Sequence, residues 1–275
     1  MDKKALLRSF LAEDAAENDI TSQTLLENTY VTARIEAREE MILSGIEECV
    51  ELFGLAGVAA LPKKKDGEKA EAYEVLLTLH GRVHSILAVE RSALNLLGRM
   101  SGIASAAYAA GNLAREINDH VRVAGTRKTA PGLRYFDKKA ISAGGGLPHR
   151  YDLAEAFLIK DTHRSFLDVG EAVRRCRAAF PKKVIDCEVE SVEDALRAAE
   201  AGADTIMFDN MTPEKIAEAI SALKAAGLRE KVMLEISGGI RAETISAFKG
   251  LDIDIISMGS LTHSVVCADV SLEIE

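Results

Sequence analysis

From residue 121 onward the chain repeats one unit: a short apolar run closed by a polar residue, then a turn, then a helical stretch. The runs are VRVAG (121–125), FLIK (157–160), VIDCE (184–188), TIMFD (205–209), VMLEI (232–236) and IDIISM (253–258). Strands this short and this apolar, alternating with helices, predict a parallel sheet covered by helices on its faces. Helix starts are readable between them: Ser191 with Asp194 three residues on resembles a capping box, and Thr212 is followed by Pro213 at the first helical turn. Six strands between residues 121 and 258 fall short of the eight strands and roughly 250 residues of a closed barrel. The expected architecture is α/β, with an incomplete or short barrel fitting better than a regular one.

The first hundred residues read differently. VTARIEAREEMILSG alternates with period two, AYEVLLTLHGRVHSIL contains a second strand, and the polar run PKKKDGEK between them reads as a hairpin loop. The stretch AVERSALNLLGRMSGIASAAYAAGNLAREIND is helical, with small residues suited to close packing.

Charge narrows the function. The chain of 275 residues carries a formal charge of -9, yet Arg122 to Arg164 holds nine Lys and Arg against four acids, so this segment is +5 and the remainder -14. Local cations in an acidic protein point away from nucleic acid, which wants a broad basic face, and towards a small anionic ligand. No apolar run reaches the roughly 18 residues of a membrane span, and the opening MDKKALLRSFLAEDAAEND turns acidic where a signal peptide stays apolar, so a cytoplasmic protein is expected. Cysteines 49, 176, 187 and 267 form no metal-binding spacing and read as scattered reduced thiols.

In a parallel α/β sheet the active site lies at the carboxyl ends of the strands. Those ends carry Arg127 and Lys128, Lys160, Glu188, Asp209, Ser237 with Gly238 and Gly239, and Gly259 with Ser260. Glycine turns after the last two strands leave backbone N–H groups open to a phosphate. Glu188 and Asp209 end adjacent strands, and Asp186 shares a face with Glu188, so carboxylates there are candidates for Mg2+ or ribose hydroxyls, or for neutralising nearby Lys and Arg. Lys160 closes an apolar run and is either an anion ligand or a Schiff-base amine. Convergence of Arg127, His149 and Arg150 favours a dianion gripped by several cations.

TRKTAPGLR, AGGGLPHR, LIKDTH, EVESVEDA, FDN, EISGGI and MGSLTHS, in this order and spacing, resemble the quinolinate phosphoribosyltransferase family. LAEDAAENDITSQTL and AVERSALNLLGRMSGIA are similar to its amino-terminal part. The resemblance implies an amino-terminal α/β sandwich over residues 1–105, joined by residues 265–275, and an open α/β barrel over 106–264, working as a homodimer or higher homo-oligomer. It implies transfer of phosphoribose from phosphoribosyl pyrophosphate to quinolinate, with Mg2+ and loss of carbon dioxide, in NAD biosynthesis. Arg91, supplied by the neighbouring subunit, would join Arg127, His149, Arg150 and Lys160 around the two carboxylates. Lys128 would lie near the pyrophosphate, Glu188 and Asp209 would meet ribose and metal, and Ser237, Gly238 and Gly259 would cradle the 5-phosphate. Lys128, Lys160, Glu188 and Asp209 are the implied catalytic set, and the +5 segment is the dianion's counter-charge. The chain departs from the family pattern at Pro148, Asp152 and Thr162.

Other readings predict other behaviour. A same-fold relative would act on nicotinate or belong to the molybdate-transport-associated type, an aldolase-like lyase would form a Schiff base at Lys160, and a non-catalytic phosphosugar-binding protein would not need both Glu188 and Asp209.

Overall fold

The computed structural model describes residues 2–275. Its strands are β1 (Tyr30–Ala37), β2 (Met41–Ile42), β3 (Ala59–Pro62), β4 (Lys69–Ala70), β5 (Val75–Arg82), β6 (Arg122–Ala124), β7 (Phe157–Ile159), β8 (Ile185–Val189), β9 (Thr205–Asp209), β10 (Met233–Ser237), β11 (Ile255–Ser257) and β12 (Val270–Ile274). They fall into two compact units, one formed by Met1–Tyr108, Ala130–Gly145 and Ser264–Glu275, the other by Ala109–Thr129 and Gly146–His263.

The first unit is built on an antiparallel sheet in the order β12-β1-β5-β3. The alternation expected for β1 is real: Ala33, Ile35 and Ala37 are fully buried, and with Leu77 and Leu79 of β5 they face a core that includes Leu7, Leu52 and Phe53. The PKKKDGEK run is not a simple hairpin loop. It joins β3 to β4, and β4 pairs with β2 while β3 pairs antiparallel with β5. Residues 130–145, which lie within the expected barrel span, pack in this first unit. The reason lies in the contacts of the helix Arg134–Ala143: Phe136 is fully buried with its ring tilted against that of Phe10, centroids 5.7 Å apart, and Asp137 receives a two-pronged pair from Arg99 at 2.8 and 2.9 Å. On the same helix Lys139 is ringed by Glu47, Glu48 and Asp66 at 2.8 to 2.9 Å.

The helix Val83–Arg115 begins in this unit. Its glycines serve close approach: Ala268 N donates to Gly98 O at 2.9 Å, and a Cβ placed on Gly102 would stand 2.1 Å from Val266 O. Gly102→Ala is therefore expected to destabilise the fold by about 2 to 3 kcal/mol, through backbone displacement and not lost contacts. A thermal melt indistinguishable from wild type would refute this account.

In the second unit all six expected strands form, each within two residues of its predicted ends, in one parallel sheet ordered β6-β11-β10-β9-β8-β7. The sheet has six strands with β6 and β7 at its edges, so the barrel is open. Ser191 caps the helix Val192–Glu200 by accepting from Asp194 N at 3.1 Å, but the reciprocal half of the expected box is absent because the Asp194 carboxylate pairs with Arg164. Thr212 caps the helix Pro213–Ala225 with proline at its start.

A recurrent device locks the amino ends of the strands. Asp204, before β9, accepts from Ile185 N of β8 at 2.8 Å and from Arg177 at 2.7 Å. Asp254, before β11, accepts from Leu234 N of β10 at 2.7 Å and from Arg229 at 3.1 Å. Each aspartate satisfies an N–H that no strand partner reaches, and each arginine neutralises it. No helix among the described residues is long and apolar enough to cross a membrane, and the four cysteines are free.

Candidate functional site

Because the six strands of the second unit are parallel, their carboxyl ends lie along one edge of the sheet. Lys160 directly follows β7, Glu188 is the penultimate residue of β8, Asp209 and Ser237 end β9 and β10 as register partners, and Gly259 stands two residues past β11. Arg127 and Lys128 follow β6, and His149 and Arg150 follow Leu147, which bridges to Ala124 of that strand. Ten of the eleven residues singled out from sequence thus belong to this unit. Arg91 belongs to the first unit, where it is exposed on a cavity of about 770 Å3 with Phe10, Asn95 and Cys267.

The cations are held under electrostatic tension. Arg127 is part-buried, and its Nε is enclosed without an acceptor. Arg150 is held below its ordinary range, first by burial and then by Arg127. A buried donor without an acceptor, beside a second guanidinium, costs free energy until an anion arrives. Lys160 Nζ stands 3.6 Å from Glu188 Oε1; the lysine is 45% exposed and the carboxylate 13%, so the ammonium remains free to take another partner.

The carboxylates repel each other. Burial raises the Glu188 pKa, Lys160 opposes the rise, and Asp209 adds to it. Asp209 is held by Asn210, whose side-chain amide donates to Oδ2 at 2.8 Å. Asn210 has φ of +53°, its N–H donates to Ser237 O at 3.0 Å, and a Cβ on Gly238 would stand 2.3 Å from Asn210 Oδ1. Gly238 and Gly239 both have positive φ (+98° and +62°), so glycine here opens the turn after β10 and makes room for Asn210. Gly259 makes room in turn for the Lys128 stem, which a Cβ would meet at 3.0 Å.

Asp186 does not stand at the strand ends with Glu188. It is buried two residues lower, with Glu235 of β10 and the His149 ring. Sequence reading missed Glu235 and Asn210, although the alternation Glu235, Ser237 on β10 repeats that of Asp186, Glu188 on β8 and carried the signal.

The departures from the family pattern also have local explanations. Pro148 favours an extended Leu147, and Leu147 exchanges backbone hydrogen bonds of 2.8 Å with Val123 and Gly125. The Asp152 carboxylate closes its own turn, accepting from Ala154 N and Glu155 N at 2.8 and 3.0 Å. Thr162 is exposed, with its N–H on Asp161 Oδ1 at 2.7 Å.

The chain matches the family models for the quinolinate phosphoribosyl transferase N-terminal domain over residues 19–101 and C-terminal domain over residues 103–273. It is 44% identical over 244 residues to a probable nicotinate-nucleotide pyrophosphorylase (carboxylating) of Archaeoglobus fulgidus, covering 89% of this chain and 94% of that one. With the human nicotinate-nucleotide pyrophosphorylase (carboxylating) it shares 42% identity over 212 residues, 76% and 70% of the two chains. Among solved structures, NadC from Streptococcus pyogenes superposes with a TM-score of 0.90 at 36% identity, covering 98% and 95%.

Proposed function

Because the chain belongs to the quinolinate phosphoribosyltransferase family, we propose that it transfers phosphoribose from phosphoribosyl pyrophosphate to quinolinate, releasing pyrophosphate and carbon dioxide and leaving nicotinate mononucleotide for NAD biosynthesis. The observation that carries the substrate assignment is the Arg127 Nε, a buried donor without an acceptor beside the guanidinium of Arg150. A dianionic pyridine supplies what those cations lack, and His149 and Lys160 complete the grip. Held there, the ring nitrogen is presented to the anomeric carbon of the sugar, whose displacement develops oxocarbenium character. Glu188 and Asp209 accept ribose hydroxyls and stabilise that positive charge, while Ser237, Gly238 and Gly259 turn backbone donors towards the 5-phosphate. Lys128 faces the departing pyrophosphate. Once ribosylated, the ring is a pyridinium whose positive nitrogen stabilises the electron pair left on the adjacent carbon when the carboxylate departs as carbon dioxide; a proton from solvent then takes the carboxylate's place, so the residues need supply no separate base.

Two mutually repelling carboxylates on neighbouring strands form an oxygen donor set suited to Mg2+. Magnesium held by Glu188 and Asp209 would supply positive charge to the leaving pyrophosphate. We assign the cytoplasm as the compartment, in keeping with four free cysteines.

The direct test mixes protein, phosphoribosyl pyrophosphate and Mg2+ with quinolinate in one tube and nicotinate in another, following mononucleotide and pyrophosphate. Product from quinolinate alone is expected. Product only from nicotinate, or none from either, would overturn the assignment.

The same reading takes the working form to be a homodimer or higher homo-oligomer in which Arg91 serves the neighbouring subunit's site. Arg91→Ala and Lys160→Ala, each nearly inactive alone, should then regain up to about one quarter of wild-type activity when subunits are exchanged, because mixed dimers contain one intact site. Additive residual activity after exchange would place Arg91 in its own subunit's site or in none.

A further inference from the structure

Below the strand ends, the inner face of the open barrel carries a second layer of polar side chains that the proposed reaction leaves unused. Side chains alternate along a strand, so Asp186 lies beneath Glu188 on β8 and Glu235 beneath Ser237 on β10. Both are buried, 5% and 1% exposed. These two strands flank β9, and the His149 ring reaches in between them: Nε2 is 3.4 Å from Asp186 Oδ2 and 3.4 Å from Glu235 Oε1. Ser257 of β11, itself buried, donates its hydroxyl to Glu235 Oε1 at 2.5 Å. Asp186 Oδ1 is buried without a hydrogen-bond partner.

Two facts demand an explanation. First, two carboxylates are buried together, and among the described residues neither has an ion pair with Lys or Arg; His149 is their shared partner. A protonated ring sets a positive charge against the buried carboxylates, and it opposes the burial that pushes the Asp186 pKa up to about 7. Second, His149 adopts φ of +57°, a left-handed conformation uncommon for a residue with a Cβ. Backbone strain of this kind persists where surrounding contacts fix it, and the ring it carries reaches both carboxylates.

We infer that Asp186 and Glu235, with Ser257 fixing the Glu235 carboxylate, are positioning residues that hold the His149 ring in one orientation and as a cation for a substrate carboxylate. This rests on the reading of His149 as a substrate ligand. It makes the site two-layered: the upper layer meets the reactants, and the lower one keeps one member of the upper layer charged. The titration agrees in direction. Burial disfavours the charged ring, the hydrogen bonds and charges of Asp186 and Glu235 outweigh burial, and the His149 pKa rises to about 9. A raised pKa means that the charge is fully present below the ordinary imidazole value and is lost as pH climbs through about 9. Asp186 from β8 and Glu235 from β10 face the ring, and Asp186 is itself coupled by charge to Arg150 and Glu188.

The test combines histidine-ring NMR with steady-state kinetics on wild type, Glu235→Gln and Ser257→Ala, with the His149 signal identified by its loss in His149→Asn. In Glu235→Gln the ring should lose its proton about two pH units lower, and KM for quinolinate should rise about tenfold at pH 8, while kcat and KM for phosphoribosyl pyrophosphate stay within about twofold. Ser257→Ala should move both quantities the same way by less, and it carries the test if Glu235→Gln does not fold. An unchanged His149 titration in a folded Glu235→Gln overturns the positioning role alone. An unchanged KM for quinolinate in His149→Asn overturns the ligand reading of His149, and the inference with it.

Discussion

Arg127→Ala is expected to lower kcat/KM for quinolinate by about a hundredfold, equivalent to about 2.7 kcal/mol of lost transition-state binding. The size follows from where the guanidinium sits. Its Nε is enclosed and lacks an acceptor, so a bound carboxylate gains a charge-assisted hydrogen bond already stripped of water. Lysine at this position should recover only part of the loss, because a point charge cannot reproduce a two-pronged grip. The loss should fall mainly in KM for quinolinate, with KM for phosphoribosyl pyrophosphate little changed. Lys160→Ala should bring a loss of similar order, since its ammonium is only loosely engaged by Glu188 at 3.6 Å. Wild-type kinetics in either variant would falsify the assignment of these cations to the substrate.

Arg229→Met should cost about 3 kcal/mol of stability while leaving the kinetics of the folded enzyme unchanged. Arg229 is 7% exposed, donates to Val232 O at 3.1 Å, and bridges Asp252 and Asp254 at 3.0 and 3.1 Å. Removing it leaves Asp254 part-buried just before β11, still accepting from Leu234 N but with only His120, 3.5 Å away, as an alternative cation. Breaking one side of a buried ion pair costs more than the pair contributes, because the partner keeps its charge. Asp252 suffers less, since Lys224 remains at 2.7 Å. The acid branch of the stability profile supplies a second check. Lys224 first, and then Arg229, hold the Asp252 carboxyl below its usual range, so its stabilising effect is present above the ordinary carboxylate pKa and fades as pH falls through the lowered one. The gap between wild type and variant should therefore narrow in acid, and a gap independent of pH would argue that Arg229 acts by packing alone.

What the sequence disclosed, and what it withheld, follows from the range of the interactions. The six parallel strands were legible because burial on both faces forces an uninterrupted apolar run, and the capping residues Ser191 and Thr212 because a cap is a local hydrogen bond. The strand-end residues Glu188, Asp209 and Ser237 were legible for the same reason, since a polar residue closing such a run has one edge to occupy. Counting cations along the chain was less faithful. Of the nine between Arg122 and Arg164, Arg134, Lys138 and Lys139 belong to a helix of the first unit, and Lys139 answers Glu47, Glu48 and Asp66, acids more than seventy positions away. The Asp186, Glu235 and Ser257 layer escaped notice because its meaning depends on which strands flank β9, and strand order is not written in any one strand.

The first unit holds a further consequence. It is woven from three stretches of chain, 1–108, 130–145 and 264–275, and β12 from the last of these pairs with β1 from the first. During synthesis the amino-terminal sheet therefore emerges early but cannot close until residues 264–275 have been made. For that interval β1 presents an unpaired edge, and Gly98 and Gly102 lie bare on their helix, surfaces that invite association between nascent chains. The barrel strands β6 to β11, all contained between residues 122 and 257, can pair before then. The first unit thus begins to emerge first but is completed last, and demand for chaperones should be greatest just before residues 264–275 emerge.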